Sequence, residues 1–187
     1  MRRIARAMQQ YHDKHGRFPP AAVTDAAGKP LYSWRVLLLP YLDGEAVYRR
    51  FHLNRAWDHP SNRPLLDQMP AVFAAPGARP GGNTTPYQVL TGAGGLFDTP
   101  DGRSLGDITD GAARTILFVE APDAVAWTQP ADVEFDHDRP PRLGVGPSGF
   151  HAAMADGSVH YIPHPAATPG LLRGLFTRAG GEMVLPP

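Results

Sequence analysis

The chain has 187 residues, 42% of them apolar and 19% charged, which is enough to build a packed core and too apolar for a disordered chain. Eighteen Lys and Arg balance eighteen Asp and Glu at a pI near 7.1, so no general electrostatic pull toward nucleic acid or an anionic membrane is expected. Cysteine is absent, which excludes disulfide scaffolds, thiol nucleophiles and thiolate metal sites, while 21 prolines and 20 glycines predict short elements and long ordered loops.

Residues 2–15 read as a helix: Ile4, Met8, Tyr11 and His15 recur at helical spacing and Arg2, Arg3, Arg6, Gln9 and Lys14 face water. Gly16 is its C-cap, and Pro19-Pro20 stops it from resuming. Asp25 to Pro30 is a surface turn. Ser33 is placed to cap a short buried helix within Ser33–Leu42, whose end Pro40 blurs. Glu45–Phe51 and Ser61–Met69 are further short helices. Pro70–Phe73 and Tyr87–Thr91 look like strands, separated by the Gly/Pro-rich loop 76–83. Residues 92–110 form a long Gly/Asp-rich loop.

Arg114–Glu120 is the strongest strand pattern; its unbroken apolar middle predicts burial on both faces. Phe150–Ala155 and Ser158–Ile162 flank Asp156-Gly157, a hairpin signal of the type I′ kind. A last helix starts at Thr168 or Pro169, runs to Ala179 and ends at Gly180-Gly181. Together these predict one α+β domain over 1–187: helix 1–16, a helical and loop region 17–69, antiparallel sheet and loops 70–163, and a C-terminal helix and tail 164–187. No apolar run approaches the ~18 residues that span a bilayer. The basic start Met1–Met8 lacks the apolar core of a signal peptide, so an export signal or anchor is expected only upstream of Met1.

Several segments carry a resemblance. Tyr11-His12-Asp13-Lys14-His15-Gly16-Arg17-Phe18-Pro19 is followed by Ser33–Leu42, by Trp57-Asp58 with Asn62, by Ser104–Gly111 (with Asp107, Asp110 and Gly111), by Thr115–Glu120 and by Ala155-Asp156-Gly157-Ser158-Val159. In this order they resemble a large bacterial family of unknown function whose members begin with a prepilin-type N-terminus. The resemblance implies a pilin-like or pseudopilin-like head: an N-terminal helix, with Ile4, Met8 and Tyr11 inward, packed on an antiparallel sheet. It implies a structural or secretion-related role at the cell envelope or outside the cell, with protein partners or self-association, no cofactor and no membrane contact by this chain. The motif residues it singles out are Tyr11, His12, Gly16, Phe18, Pro19, Trp34, Asp107, Asp110, Gly111, Asp156 and Gly157. The chain departs from the pattern in two ways. A family histidine before the last Asp-Gly pair is replaced by Gly146, and the hydrophobic prepilin helix that opens the family's chains is expected only upstream of Met1.

Catalytic chemistry finds little support in the residues themselves. His160 and His164 straddle Pro163 and so lack the one-face helical geometry of a zinc pair, whereas His12 and His15 could share a helix face. Asp98, Asp101, Asp107 and Asp110 are calcium candidates, but their spacing is not that of an EF-hand and ordinary turn chemistry accounts for them. Gly146-Pro147-Ser148-Gly149 is no nucleophile elbow. Asn83-Thr84-Thr85 has the form of a glycosylation sequon. Trp34, Tyr41, Tyr48, Phe51 and Trp57 read as core rather than as a ligand groove.

The leading expectation is a non-enzymatic envelope module. One alternative is an extracellular solute- or glycan-binding module using loops 76–86 and 92–110. A third is a hydrolase or metalloenzyme built on His151, Asp156 and His160.

Overall fold

The computed structural model describes residues 1–79, 81–182 and 184–187. Helix α1 (Arg2–His15) ends where Gly16 takes φ 74° and donates its N–H to the His12 carbonyl at 2.7 Å. Its buried stripe is Ile4, Ala5, Ala7 and Met8; Tyr11 is only half-buried, so the inward face lies closer to the N-terminus than its apolar spacing predicts. The Asp25 turn is present, with Asp25 Oδ1 accepting from the N–H groups of Ala27 and Lys29. It joins two strands the sequence does not announce, β1 (Ala22–Thr24) and β2 (Pro30–Ser33). Ser33 caps α2 (Trp34–Leu37) through its hydroxyl, Pro40 then sits in a 3-10 turn over Leu39–Tyr41, and α3 spans Glu45–Arg50.

Two expected elements change character. Arg63–Gln68 and Ala71–Phe73 are 3-10 turns, so the strand expected at 70–73 is not one; the Pro70 carbonyl accepts from the Phe73 N–H and closes the turn locally. The strand expected over 87–91 is divided between two sheets, as β3 (Thr84–Gln88) and β4 (Leu90–Thr91).

The central sheet has the antiparallel order β3-β5-β7-β8, with β5 at Ile116–Ala126, β7 at Gly149–Met154 and β8 at Val159–Pro163. Residues Ile116 to Ala121 of β5 are all buried, because the sheet is covered on both faces. One core joins Leu117, Phe118 and Ala153 to Ile4, Met8, Phe18 and Trp34. The other joins Val119, Phe150, Ala152 and Met154 to Leu172, Leu175 and Phe176 of α4 (Pro169–Phe176). That second layer also holds a two-residue parallel pairing of β4 with β6 (Val133–Glu134). Helix α4 starts at Pro169, one of its two predicted starts, is capped by the Thr168 side chain and stops at Phe176, three residues before Ala179.

The hairpin between β7 and β8 is not of the two-residue type I′ form. The Met154 N–H donates to the Ser158 carbonyl, the Gly157 N–H donates to the Met154 carbonyl, and only Gly157 has positive φ, at 88°. This is a three-residue loop of a type I turn followed by a left-handed glycine, the next most common hairpin connection. Mixed helix and antiparallel sheet make the class α+β. Among the described residues no helix is long and apolar enough to cross a membrane.

Candidate functional site

Two of the resembling motifs, Tyr11–Pro19 and Ser104–Gly111, meet where the end of α1 touches the loop 98–110. The Phe18 N–H donates to the Arg103 carbonyl at 2.8 Å, and His12 Nε2 accepts from the Leu105 N–H at 3.0 Å. An accepting Nε2 carries no proton, so the ring proton sits on Nδ1. That atom is buried without a hydrogen-bond partner among the described residues; Asp13 Oδ1 is 3.9 Å away. Phe18 is fully buried and Gly102, at φ 73°, lies so close to it that an added Cβ would collide with the Phe18 carbonyl oxygen. The contact therefore requires glycine for both conformation and space.

Around this contact opens a polar recess of about 480 Å³, whose walls include Arg17, Thr99, Asp101, Arg103, Ser104 and Asp107. Arg103, Ser104 and Asp107 already have partners. Asp98, just behind, binds Arg103 through Oδ1 at 2.8 Å and Arg178 through Oδ2 at 2.7 Å. Burial raises its carboxyl pKa, but the hydrogen bonds and charges of the two arginines outweigh that and hold it below the ordinary carboxylate value. Asp107 Oδ2 accepts from the Ser104 N–H at 2.7 Å and from the Ser104 hydroxyl at 2.9 Å, and these bonds depress its carboxyl pKa. Asp110 accepts from the N–H groups of Gly180 and Gly181 at 2.7 and 3.1 Å. Asp101 is exposed. Asp98, Asp107 and Asp110 thus serve separate partners, and among the described residues no three His, Asp or Glu side chains form a metal-binding group.

The remaining motif residues are structural in their contacts. Tyr11 stacks on His15 at 4.1 Å and meets Tyr41 edge-on, Pro19 is buried, and Gly111 takes φ 105° before the turn at Ala112–Arg114. Asp156 Oδ1 accepts from the Ser158 N–H inside the hairpin loop. Of the aromatics read as core, Trp34 and Phe51 are buried, with Tyr41, Tyr48 and Trp57 packed at its margin.

His151, Asp156 and His160 are not brought together. His151 stands opposite Tyr161 and His160 opposite Ala152, so the two imidazoles leave opposite faces of the sheet. His160 meets Ser158 instead, and His151 Nδ1 lies 2.9 Å from Oε2 of Glu120, a buried carboxylate that also accepts the His151 N–H. The sequon is equally spoken for: Thr85 is buried, with its hydroxyl accepting from the Tyr87 N–H. Of the loops offered for solute binding, 92–110 contributes the polar recess, and 76–86 lines an apolar groove of about 370 Å³ with Met69, Ala124 and Val145; Pro80 lies outside the described residues.

Sequence reasoning missed the strongest polar feature. Arg35 is fully buried beside Trp34, 4.7 Å from its ring, and donates to Asp132 at 2.9 Å, to the Tyr87 carbonyl from two nitrogens, and to the Ser33 hydroxyl. Asp132 also accepts from Trp34 Nε1 and the Val89 N–H. Burial drives both groups toward neutrality, lowering the Arg35 pKa and raising that of Asp132, against the attraction of each for the other. A lone arginine inside the apolar run 34–39 was the available signal, because a buried charge requires a partner. Nothing near Asp132 identified it as that partner.

The α+β fold with its helix-end junction is the class these observations define. Residues 1–93 match the model of a family described as SBP_bac_10, a protein of unknown function (DUF1559). The match supports a bacterial family of unknown function, and it covers the Tyr11–Pro19 and Ser33–Leu42 motifs but not those from Ser104 onward. No curated protein and no solved structure matches the chain.

Proposed function

We propose that this chain is a non-catalytic, pilin-like or pseudopilin-like module at the cell envelope or outside the cell. It engages protein partners, or other copies of itself, through the surface where α1 meets the loop 98–110. The observation that carries this reading is how the motif residues are used. His12, Phe18, Asp107 and Asp110 hold a long loop in one shape against the helix end rather than gathering around a reacting atom. A loop fixed in advance loses little entropy on binding, which suits a recognition surface.

The test is a photo-crosslinking amino acid at Leu105, 36% exposed on that loop, in the producing bacterium, with a control at Val145. A discrete crosslinked species from position 105 alone, in the envelope or medium fraction, supports the proposal. A cytoplasmic location, or identical crosslinking from both positions, overturns it. A second reading, a solute- or glycan-binding module, draws on the polar recess itself. It would be favoured by a glycan that raises the melting temperature of the wild type but not of Arg17→Ala.

A further inference from the structure

A second recess lies away from this junction, between the end of α3 and the loop that follows it. Its volume is about 420 Å³, within the range of small-ligand sites. Arg49, Arg50, His52 and Ser61 supply its polar wall, Phe51 and Leu65 are among its apolar lining, and none of the lining side chains is a carboxylate. The shape is fixed from behind by Asn62, which is fully buried. Its amide nitrogen donates to the carbonyls of His52, Arg55 and Ala56, and its amide oxygen accepts from the His52 N–H at 2.8 Å.

The two arginines differ in a way that matters. Arg49 is paired with Glu45 at 2.9 Å. Arg50 is held at 2.9 Å by Gln68, a neutral acceptor, which orients the guanidinium without cancelling its charge. The Ser61 hydroxyl donates to His59 Nδ1 at 2.8 Å, since that nitrogen also accepts the Ser61 N–H at 3.2 Å and so carries no proton. An oriented, uncompensated guanidinium beside an imidazole, in a wall free of carboxylates, has the donor chemistry of an oxyanion site.

We infer that this recess binds a compact oxyanion, phosphate or sulfate, either free or carried on a small organic body that would rest on Phe51 and Leu65. The inference is independent of the envelope reading and stands or falls separately from it. The test is titration of the full chain with inorganic phosphate at constant ionic strength, followed by backbone amide NMR shifts. Saturable shifts confined to the segments 49–53 and 61–65 support the site. Arg50→Gln should weaken binding about tenfold, the loss expected for one charge-assisted hydrogen bond. Lys29→Gln, in the exposed β1–β2 turn, should leave it unchanged. Shifts that never saturate, or that scatter over all the exposed arginines, overturn the inference. Hexose 6-phosphate in place of phosphate separates the two sources. Tighter binding assigns the anion to an organic carrier, and equal binding assigns it to the free ion.

Discussion

Arg35 with Asp132 and Asp98 with its two arginines do similar work in different solvents. Each ties a long loop to a distant part of the chain, across separations of 97 residues for Arg35–Asp132 and 80 for Asp98–Arg178. The first pair is sealed, with side chains 0% and 4% exposed, whereas Asp98 is 12% exposed and its arginines 18% and 29%. A sealed pair gains little over an apolar replacement of the same shape, yet losing one member is costly because the other charge is stranded. A pair near water can rehydrate when broken and is correspondingly cheaper. The buried knot therefore acts as a condition for folding, and the outer one as an adjustable clamp on the α1 junction.

The largest effect should come from Asp132→Ala, which strands Arg35 and also orphans Trp34 Nε1 and the Val89 N–H. A loss of about 3–5 kcal/mol is expected, read from denaturant unfolding; a loss under about 1 kcal/mol would show that the sealed pair is no more critical than a surface one. Next is Gly102→Ala, which drives a Cβ into the Phe18 carbonyl at positive φ. It should cost about 2–3 kcal/mol and loosen the junction, seen as faster hydrogen exchange at Phe18 and Leu105. Gly157→Val also meets positive φ, but the obstacle is the flexible Gln9 side chain at 2.9 Å, so about 1–2 kcal/mol is expected from thermal melting.

The clamp at Asp98 gives a pH signature. Its folded pKa is depressed, so its contribution is present above the unfolded value near 4 and is lost as pH falls through the lower folded value. Asp98→Asn should lower the melting temperature at pH 7 and narrow its gap to wild type below about pH 4; a gap independent of pH would remove the carboxylate from the argument. The smallest effect belongs to Arg3→Ala, whose partner Asp43 is 94% exposed, and it should stay within about 0.5 kcal/mol.

What the sequence made legible was local. The periodicity over 2–15, the Gly16 cap, Ser33 as an N-cap, the helix start at Pro169 and the apolar run at 116–119 depend on near neighbours, and each stands in the fold where its pattern placed it. What stayed hidden depends on partners far along the chain. β4 meets β6 some forty residues on, with Leu90 opposite Val133, and His151 finds Glu120 rather than Asp156. The hairpin loop was misjudged because Asp-Gly serves both two- and three-residue loops, and strand register, not the dipeptide, selects between them. In the site, the acidic loop was visible but the arginines and backbone groups that occupy its carboxylates were not.

The Arg35–Asp132 pair also bears on how the chain emerges from a ribosome. Residues 1–93 contain α1, β1 and β2, α2 and α3, yet their one fully buried arginine has its counter-charge at position 132. Until that aspartate is synthesised the guanidinium must stay hydrated, which keeps the interior around Trp34 open. The N-terminal half, although it is the stretch a family model recognises, is therefore expected not to fold as a unit by itself.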